Sequence, residues 1–543
     1  MTVGALYQIT NLNKNSANNF LDIDPQISFY KIVYRKHSRF AMENVSFNNL
    51  SRSTLDYDDN VTIKCDIPRN GDLLKSLYFT FELPNIYSGR KQTDNIYSNF
   101  EFKWIKNIGL NIFNHMTMKF NGQEIDKLYA DYLNIWKELT LSDEEKYIFN
   151  ENIGHIPELY DPKNGPGQNG NYPHITTGNT NSDQADRYIG KNIELNGNKF
   201  VFNNSNIMDS TTSTYGENIF PSILGRKIKV PLSFYFCHNS GLAIPLIALQ
   251  YTTISLEFEM KKFQDLYTII DTNYTEDSPS FNKRIKPGNE DHHQINNFTN
   301  NFSYNIKPDV EGEYIFLDEE ERKRFAAYDH EYLIEQPKIS NKDGVQIKTS
   351  IEETNTKIMA FNPIKYLVWV VKRDDFKFIN EWSNYTNWVN PNIPPYSNEY
   401  QYIDTFYNLG LTKHVFYNSD ISSHKNLYSI PNLKKNILTN VKIEFDGNLR
   451  IDKDGDYFSK QQIYQHFKKK TNGIYVYSFA LNPLEFQPSG SCNFSDIYTP
   501  KIYFKKDLHT DGFNEYNYKA YVYLISYNIL VIKSGIGNLK FVS

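Results

Sequence analysis

Five short segments in the first half of the chain recur, in the same order, in the second half. LYFTFELP from Leu77 is answered by YLVWVVKR from Tyr366, and KFNGQEID from Lys119 by EFDGNLRID from Glu444. VPLSFYFCHN from Val230 is answered by IYVYSFALNP from Ile474, GLAIPLIALQYTTISLEF from Gly241 by GSCNFSDIYTPKIYFK from Gly490, and EYIFL from Glu313 by AYVYL from Ala520. One such match carries little weight, but five in one order point to a duplicated scaffold.

The repeated pieces read as strands. In LYFTFEL, Leu77, Phe79, Phe81 and Leu83 share one face and Tyr78, Thr80 and Glu82 the other, as a half-buried strand requires. MTMKF runs into Asn121-Gly122 and VKIEF into Asp446-Gly447, pairs able to take the positive φ angles of a tight hairpin turn. Aromatic residues make up 15% of the chain, 41 Tyr and 37 Phe, and rings pack well on a pleated surface. Helical signals are few: DYLNIWKELTLSDEEKYIF, with a capping box from Ser142 to Glu145, and LDEEERKRFAAY. At 543 residues two domains are expected. The expected fold is all-β: two consecutive eight-stranded jelly-roll sandwiches with long surface loops and a few short helices. Residues 1–26 form an N-terminal arm, 27–320 the first jelly roll, 321–335 a connector and 336–543 the second.

Loop lengths separate the copies. Gly122 and Gly241 are 119 positions apart but Gly447 and Gly490 only 43, so the first copy holds about 76 extra residues. They include DPKNGPGQNGNYPHITTGNTNSDQAD, a polar surface excursion. A second polar stretch lies between Asp265 and Asn305, and the second copy carries WSNYTNWVNPNIPPYSNEYQ. These loops imply an exposed display surface.

Little in the chain points to chemistry. Cys65, Cys237 and Cys492 are too scattered for a disulfide framework or a zinc site and read as buried free thiols of a reducing compartment. No secretory leader and no run of about 18 apolar residues is evident, so a soluble protein is expected. Gly165, Gly167 and Gly170 spell GxGxxG without the strand and helix that a dinucleotide turn needs. Asp452, Asp454 and Asp456 lack the spacing of an EF-hand. His292-His293 sits in a polar loop, and His330-Glu331 lacks the second His of a zincin. The reading is a non-enzyme with no catalytic residues, no cofactor, no metal and no small-molecule substrate.

The segment DPQISFYKIVYRKHSRFAMENV, from Asp24, mixes rings with cations. Phe29, Lys31, Val33 and Arg35 alternate with Tyr30, Ile32, Tyr34 and Lys36, so both faces receive cations. A base-stacking platform would segregate them. A net charge of -5 supplies no general pull toward polyanions, so no specific nucleic acid is expected. The alternation favours a partly buried strand whose cations pair with acids such as Asp56 to Asp59 or Asp318 to Glu321, or with another subunit.

This segment resembles the N-terminal pattern of the major capsid proteins of nucleocytoplasmic large DNA viruses. Gly4, Leu6 and Gln8 fit its first part, and Pro25, Gln26, Ile27, Phe29, Lys31, Val33, Tyr34, Arg35, His37, Phe40, Ala41 and Glu43 its second. The likeness continues through Val230 to Tyr251, Tyr314 to Gln336, Phe361 to Val371, Pro488 to Ile497 and Tyr527 to Phe541. Asp496 stands where that family usually has an Arg before the acid. The resemblance implies a double jelly roll that forms homotrimeric, pseudo-hexameric capsomers of an icosahedral virion, made and assembled in the host cytoplasm. The implied partners are neighbouring capsomers, minor capsid and penton proteins and the internal-membrane side of the virion. Pro25, Gln26, Phe29, Lys31, Tyr34, Arg35, His37, Arg39 and Phe40 are the expected assembly residues. A glycan-binding sandwich using Trp382 and Trp388 is the rival reading.

Overall fold

The computed structural model describes residues 26–47, 49–86, 100–166, 222–271, 303–348, 351–378, 380–387, 435–506 and 517–541, with a few isolated positions between them. Sixteen strands build two sandwiches. The first uses β1 (Phe40–Phe47), β2 (Val61–Asp66), β3 (Leu73–Glu82), β4 (Phe113–Phe120), β5 (Gln123–Tyr129), β6 (Lys227–Pro231), β7 (Ile254–Met260) and β8 (Asp309–Leu317). The second uses β9 (His330–Ile339), β10 (Glu353–Lys357), β11 (Pro363–Arg373), β12 (Leu438–Phe445), β13 (Asn448–Asp454), β14 (Ile474–Ser478), β15 (Pro500–Lys506) and β16 (Tyr518–Lys533).

The sheet orders are β1-β8-β3-β6 and β2-β7-β4-β5 in the first sandwich, and β9-β16-β11-β14 and β10-β15-β12-β13 in the second. Every strand therefore has its counterpart eight strands later, and both halves have jelly-roll connectivity. All five repeated segments fall on matching strands or turns. Even the irregularities repeat. The β3–β8 ladder skips Lys75 and the β11–β16 ladder skips Lys365, while β4–β5 skips Ile125 and β12–β13 skips Arg450. The hairpin turns match too, with φ of 48° and 86° at Asn121 and Gly122, and 50° and 81° at Asp446 and Gly447. Both central residues of a type I′ turn require such angles.

The helices follow their caps. Ser142 accepts from the Glu145 N–H and the Glu145 carboxylate accepts from Ser142 N–H, which starts α2 (Asp143–Asn152) after α1 (Ala130–Thr140). Asp318 caps α3 (Glu319–Ala327), which leads toward the second sandwich. Strand β9 begins at His330, so residues 330–335 of the expected connector already pair with β16.

A larger correction concerns the cationic segment. Residues 27–39 do not form the expected partly buried strand; they are exposed, β1 starts at Phe40, and its partner β8 ends at Leu317 opposite it. Alternation alone does not make a strand, because a strand needs a neighbour to bond its backbone. The thiols also differ from expectation: Cys65 is buried, whereas Cys237 and Cys492 are partly exposed, all three being free.

Strand β11 explains the run YLVWVV. Leu367, Trp369 and Val371 point into the core of the second sandwich, while Tyr366, Val368 and Val370 point the other way, into a core shared with the first sandwich. A sheet buried on both faces has no reason to alternate. Strand β16 does the same, with Val522 and Leu524 on one side and Tyr523 and Ile525 on the other.

Asp126 on β5 lies at the edge of this shared core. It is buried; one carboxyl oxygen accepts from Tyr235 N–H at 3.1 Å, and the other has no hydrogen-bond partner among the described residues. Desolvation raises its pKa from 3.8 to about 7, so the neutral acid is the form the fold accommodates. Because the folded value lies above the unfolded one, this contribution to stability is complete below pH 3.8 and is lost as pH rises through about 7. Thermal midpoints measured across that window should fall for the natural chain and fall less for Asp126→Asn, which keeps the shape without the charge.

Candidate assembly surface

The two sandwiches meet along a seam inside the chain. There the outer face of β9-β16-β11-β14 covers β5 and α1. Tyr523 packs its ring 6.3 Å from that of Tyr129 and 6.1 Å from that of Tyr132, and the Gln336 side-chain amide donates to the Ile125 carbonyl. Polar anchors ring the apolar centre. Lys372, almost fully buried, meets Asp131 at 2.6 Å, and Lys106 meets Glu381 at 2.8 Å. Asn380 donates to the carbonyls of Gln264 and Tyr267, both at 2.8 Å, and the Trp382 indole N–H donates to the Asp265 carbonyl at 3.0 Å. Lys261 stands 4.8 Å over the Trp382 ring. Trp382 is thus part of the seam, which removes it from the glycan-binding reading, and Trp388 lies outside the described residues.

Among the described residues no second sandwich covers the same face of the first; its side chains are half-buried, with Thr80 buried among them. The matching ladders place Ser76, Tyr78 and Thr80 on β3 where β11 has Tyr366, Val368 and Val370. Glu311 and Glu313 on β8 stand where β16 has Tyr523 and Ile525, and Lys229 on β6 where β14 has Ile474. Apolar residues that bury inside the chain are replaced by an ion-paired array. Lys75 meets Glu313 at 3.2 Å, Ser76 donates to Glu313 at 3.0 Å, Lys229 pairs with Glu311, and Lys229 lies 4.9 Å over the Tyr78 ring. Strand β13 is the reciprocal case. Its counterpart β5 is covered by the second sandwich, but β13 is exposed almost throughout, with Leu449 59% exposed.

The expected assembly residues lie beside this face. Pro25 falls outside the described residues. Gln26, Phe29, Lys31, Tyr34, Arg35, His37 and Arg39 are all exposed on an arm that precedes β1, and Phe40 is the first residue of β1. Tyr30 is fully exposed and Ile32 91% exposed. The hydrogen bonds of Tyr30 and His37 stay within the arm, to Ser28 and Ser38. Among the described ion pairs none joins the arm to the expected acids: Asp56 pairs with Arg52, and Asp318 caps α3. Alternation could not reveal the open face, but comparing the two copies position by position could.

The other motifs are accounted for locally. Gly165 follows a short 3-10 turn, Pro162–Asn164, and Gly167 and Gly170 lie outside the described residues. Asp452 accepts from Asn440, Asp454 from Tyr457 N–H, and Asp456 from Asn436. His330 bonds the Phe325 carbonyl, and His292-His293 is not described. Among the described residues no cluster of His, Cys, Asp and Glu is suited to hold a metal ion, and no helix is long and apolar enough to cross a membrane.

Comparison with known proteins agrees with the architecture. Residues 28–318 match the family described as the major capsid protein N-terminus, and residues 321–538 the large eukaryotic DNA virus major capsid protein. The major capsid protein of Phaeocystis pouchetii virus is 27% identical, over 96% of both chains. That of Paramecium bursaria Chlorella virus 1 is 26% identical, over 88% of this chain and 82% of the relative. Among solved structures, the PBCV-1 virus capsid superposes with a TM-score of 0.60 at 23% identity, covering 95% of this chain and all of that one. The Faustovirus major capsid protein gives 0.57 at 10% identity, covering 97% and 96%.

Two jelly rolls in one chain, joined by an apolar seam, define a double jelly-roll protein. The chain belongs to the major capsid proteins of large eukaryotic DNA viruses. It is a structural component of the virion that associates with itself and with neighbouring capsomers.

Proposed function

We propose that three copies close into a ring of six sandwiches, a pseudo-hexameric capsomer that tiles an icosahedral shell. The observation that carries this reading is the open face β1-β8-β3-β6 with its reciprocal strand β13. Setting that face of one copy against β13 of the next repeats the relation already made inside the chain, and a closed cyclic assembly leaves neither surface exposed. The seam between copies is then held by ion pairs and hydrogen bonds, and the seam within a copy by apolar burial.

Arg35, Arg39 and the other arm residues from Pro25 to Phe40 belong to the contacts between copies near the base of the capsomer. The capsomer acts without catalysis. It is assembled in the host cytoplasm and meets minor capsid proteins, penton proteins and the internal-membrane side of the shell.

Light scattering on purified protein should give three times 63.7 kDa. Glu311→Lys with Glu313→Lys, which replaces the carboxylates that pair with Lys75 and Lys229 by like charges, should return the mass to 63.7 kDa while circular dichroism stays that of a folded β protein. Added salt should shift the natural chain the same way, because exposed charges are screened beyond about 8 Å at physiological ionic strength. A natural chain that stays monomeric at every concentration and salt would refute the capsomer.

A further inference from the structure

The base of the molecule carries two apolar surfaces that nothing covers among the described residues. Strand direction defines the base: β1 and β3 begin there, β8 ends there, and the Asn121-Gly122 turn lies there. In the second sandwich β9, β11, β16 and the Asp446-Gly447 turn mark the same end. In the first sandwich this end has a roof. Beyond β16 the chain turns into β17 (Ile536–Leu539), where Tyr251 N–H donates to the Gly535 carbonyl at 3.0 Å and Gly537 N–H to the Thr252 hydroxyl at 3.1 Å. Gly537 lies so close that a Cβ there would stand 2.8 Å from both Leu249 and Phe120.

Among the described residues the second sandwich has no such cover. The ladders put Phe445 opposite Pro500 just as Phe120 stands opposite Ile254, so Tyr498 holds the place of Thr252. Tyr498 is 83% exposed, and the same end bears Leu481, 73% exposed, together with Met359, Phe361 and Leu484. Asp446, Glu485 and Asp496 are also exposed there.

The second uncovered surface is the arm, Gln26–Arg39. Phe29, Ile32, Val33 and Tyr34 are exposed along it, and it contains Lys31, Arg35, Lys36 and Arg39 without one acid. Fully extended, these residues reach about 45 Å, enough to cross to another copy. The arm enters β1 at the base, the end where these apolar side chains of the second sandwich lie. The other element leaving the first sandwich there is α3, whose Phe325 already packs on Leu73, Ala243 and Ile315 of its own sandwich.

We propose that the arm of one copy lies across the apolar base of the second sandwich in the adjoining copy, a roof supplied in trans where β17 supplies one in cis. This rests on the ring reading, which makes the first sandwich of one copy the neighbour of the second sandwich of the next. Apolar side chains of the arm cover Met359, Phe361, Leu481 and Tyr498, and its cations face the acids at the rim.

The test uses the full chain with Val33→Cys combined in turn with Phe361→Cys, Leu481→Cys or Tyr498→Cys, oxidised with diamide and run on denaturing gels beside the single variants. Linked dimers and trimers in at least one pairing, absent from the singles, are expected. Ile32→Asp with Tyr34→Asp should raise the concentration for half-assembly at least about tenfold, the scale of losing interface anchors. If the natural chain has trimer mass but links form only within single chains, or no pairing links, the trans roof is wrong and the capsomer stands. An unchanged assembly curve for the arm variant also overturns the roof. A natural chain that is monomeric throughout overturns both.

Discussion

Asp131→Ala is expected to destabilise the chain by roughly 3–5 kcal/mol, the cost of removing one partner from a buried ion pair. Lys372 would keep its charge in a site 2% exposed, with only the rings of Phe376, Tyr385 and Tyr521 beside it at 5.0, 5.5 and 5.7 Å. Lys372→Met should cost far less, because it removes the charge as well as the pair and keeps the apolar stem. Denaturant midpoints of the two variants should differ clearly in that order. Equal losses would mean that the pair matters only as packing. Since the pair spans the seam, the loss in Asp131→Ala should appear as early separation of the sandwiches.

Adjacent positions on β11 offer a second large effect with two different outcomes. Trp369 is fully buried in the second core, 5.2 Å from the Phe458 ring and 6.1 Å from the stacked ring of Tyr475. Trp369→Ala should cost about 3–5 kcal/mol through the cavity left behind. Val370 points the other way, into the core shared by both sandwiches. Val370→Asp buries a charge with no partner and should cost several kcal/mol at the seam instead. Hydrogen exchange separates the two. The Trp369 variant should lose protection in β10, β12 and β15, and the Val370 variant in β5 and β9 while β15 stays protected. Loss in the same strands for both would contradict the two-faced burial of β11.

Much of the scaffold was legible because duplication is a property of order, which survives divergence at single positions. The five repeated segments landed on β3 and β11, the β4–β5 and β12–β13 hairpins, β6 and β14, the approaches to β7 and β15, and β8 and β16. The Ser142–Glu145 capping box marked α2 correctly, and the LDEEERKRFAAY pattern marked α3. What failed was local pattern without a partner: Phe29 to Lys36 alternates well but has no neighbouring strand among the described residues. The seam was also hidden, since Lys372 and Asp131 or Trp382 and Asp265 meet only after folding. One signal was available and unused. The unbroken apolar run of β11, set beside the alternating run of β3, states that one copy of this sheet is covered twice and the other once.

Antiparallel jelly-roll connectivity has a further consequence for the long inserts. The β3–β4, β5–β6 and β7–β8 connections, and β11–β12 and β15–β16 in the second sandwich, all leave from the end opposite the base. Residues 87–99, 174–193, 286–302, 388–434 and 507–516 all belong to those connections. A peptide grafted into one of those connections would be tethered at strand ends away from the Asn121-Gly122 and Asp446-Gly447 turns, so both hairpins that close the base keep their own sequence.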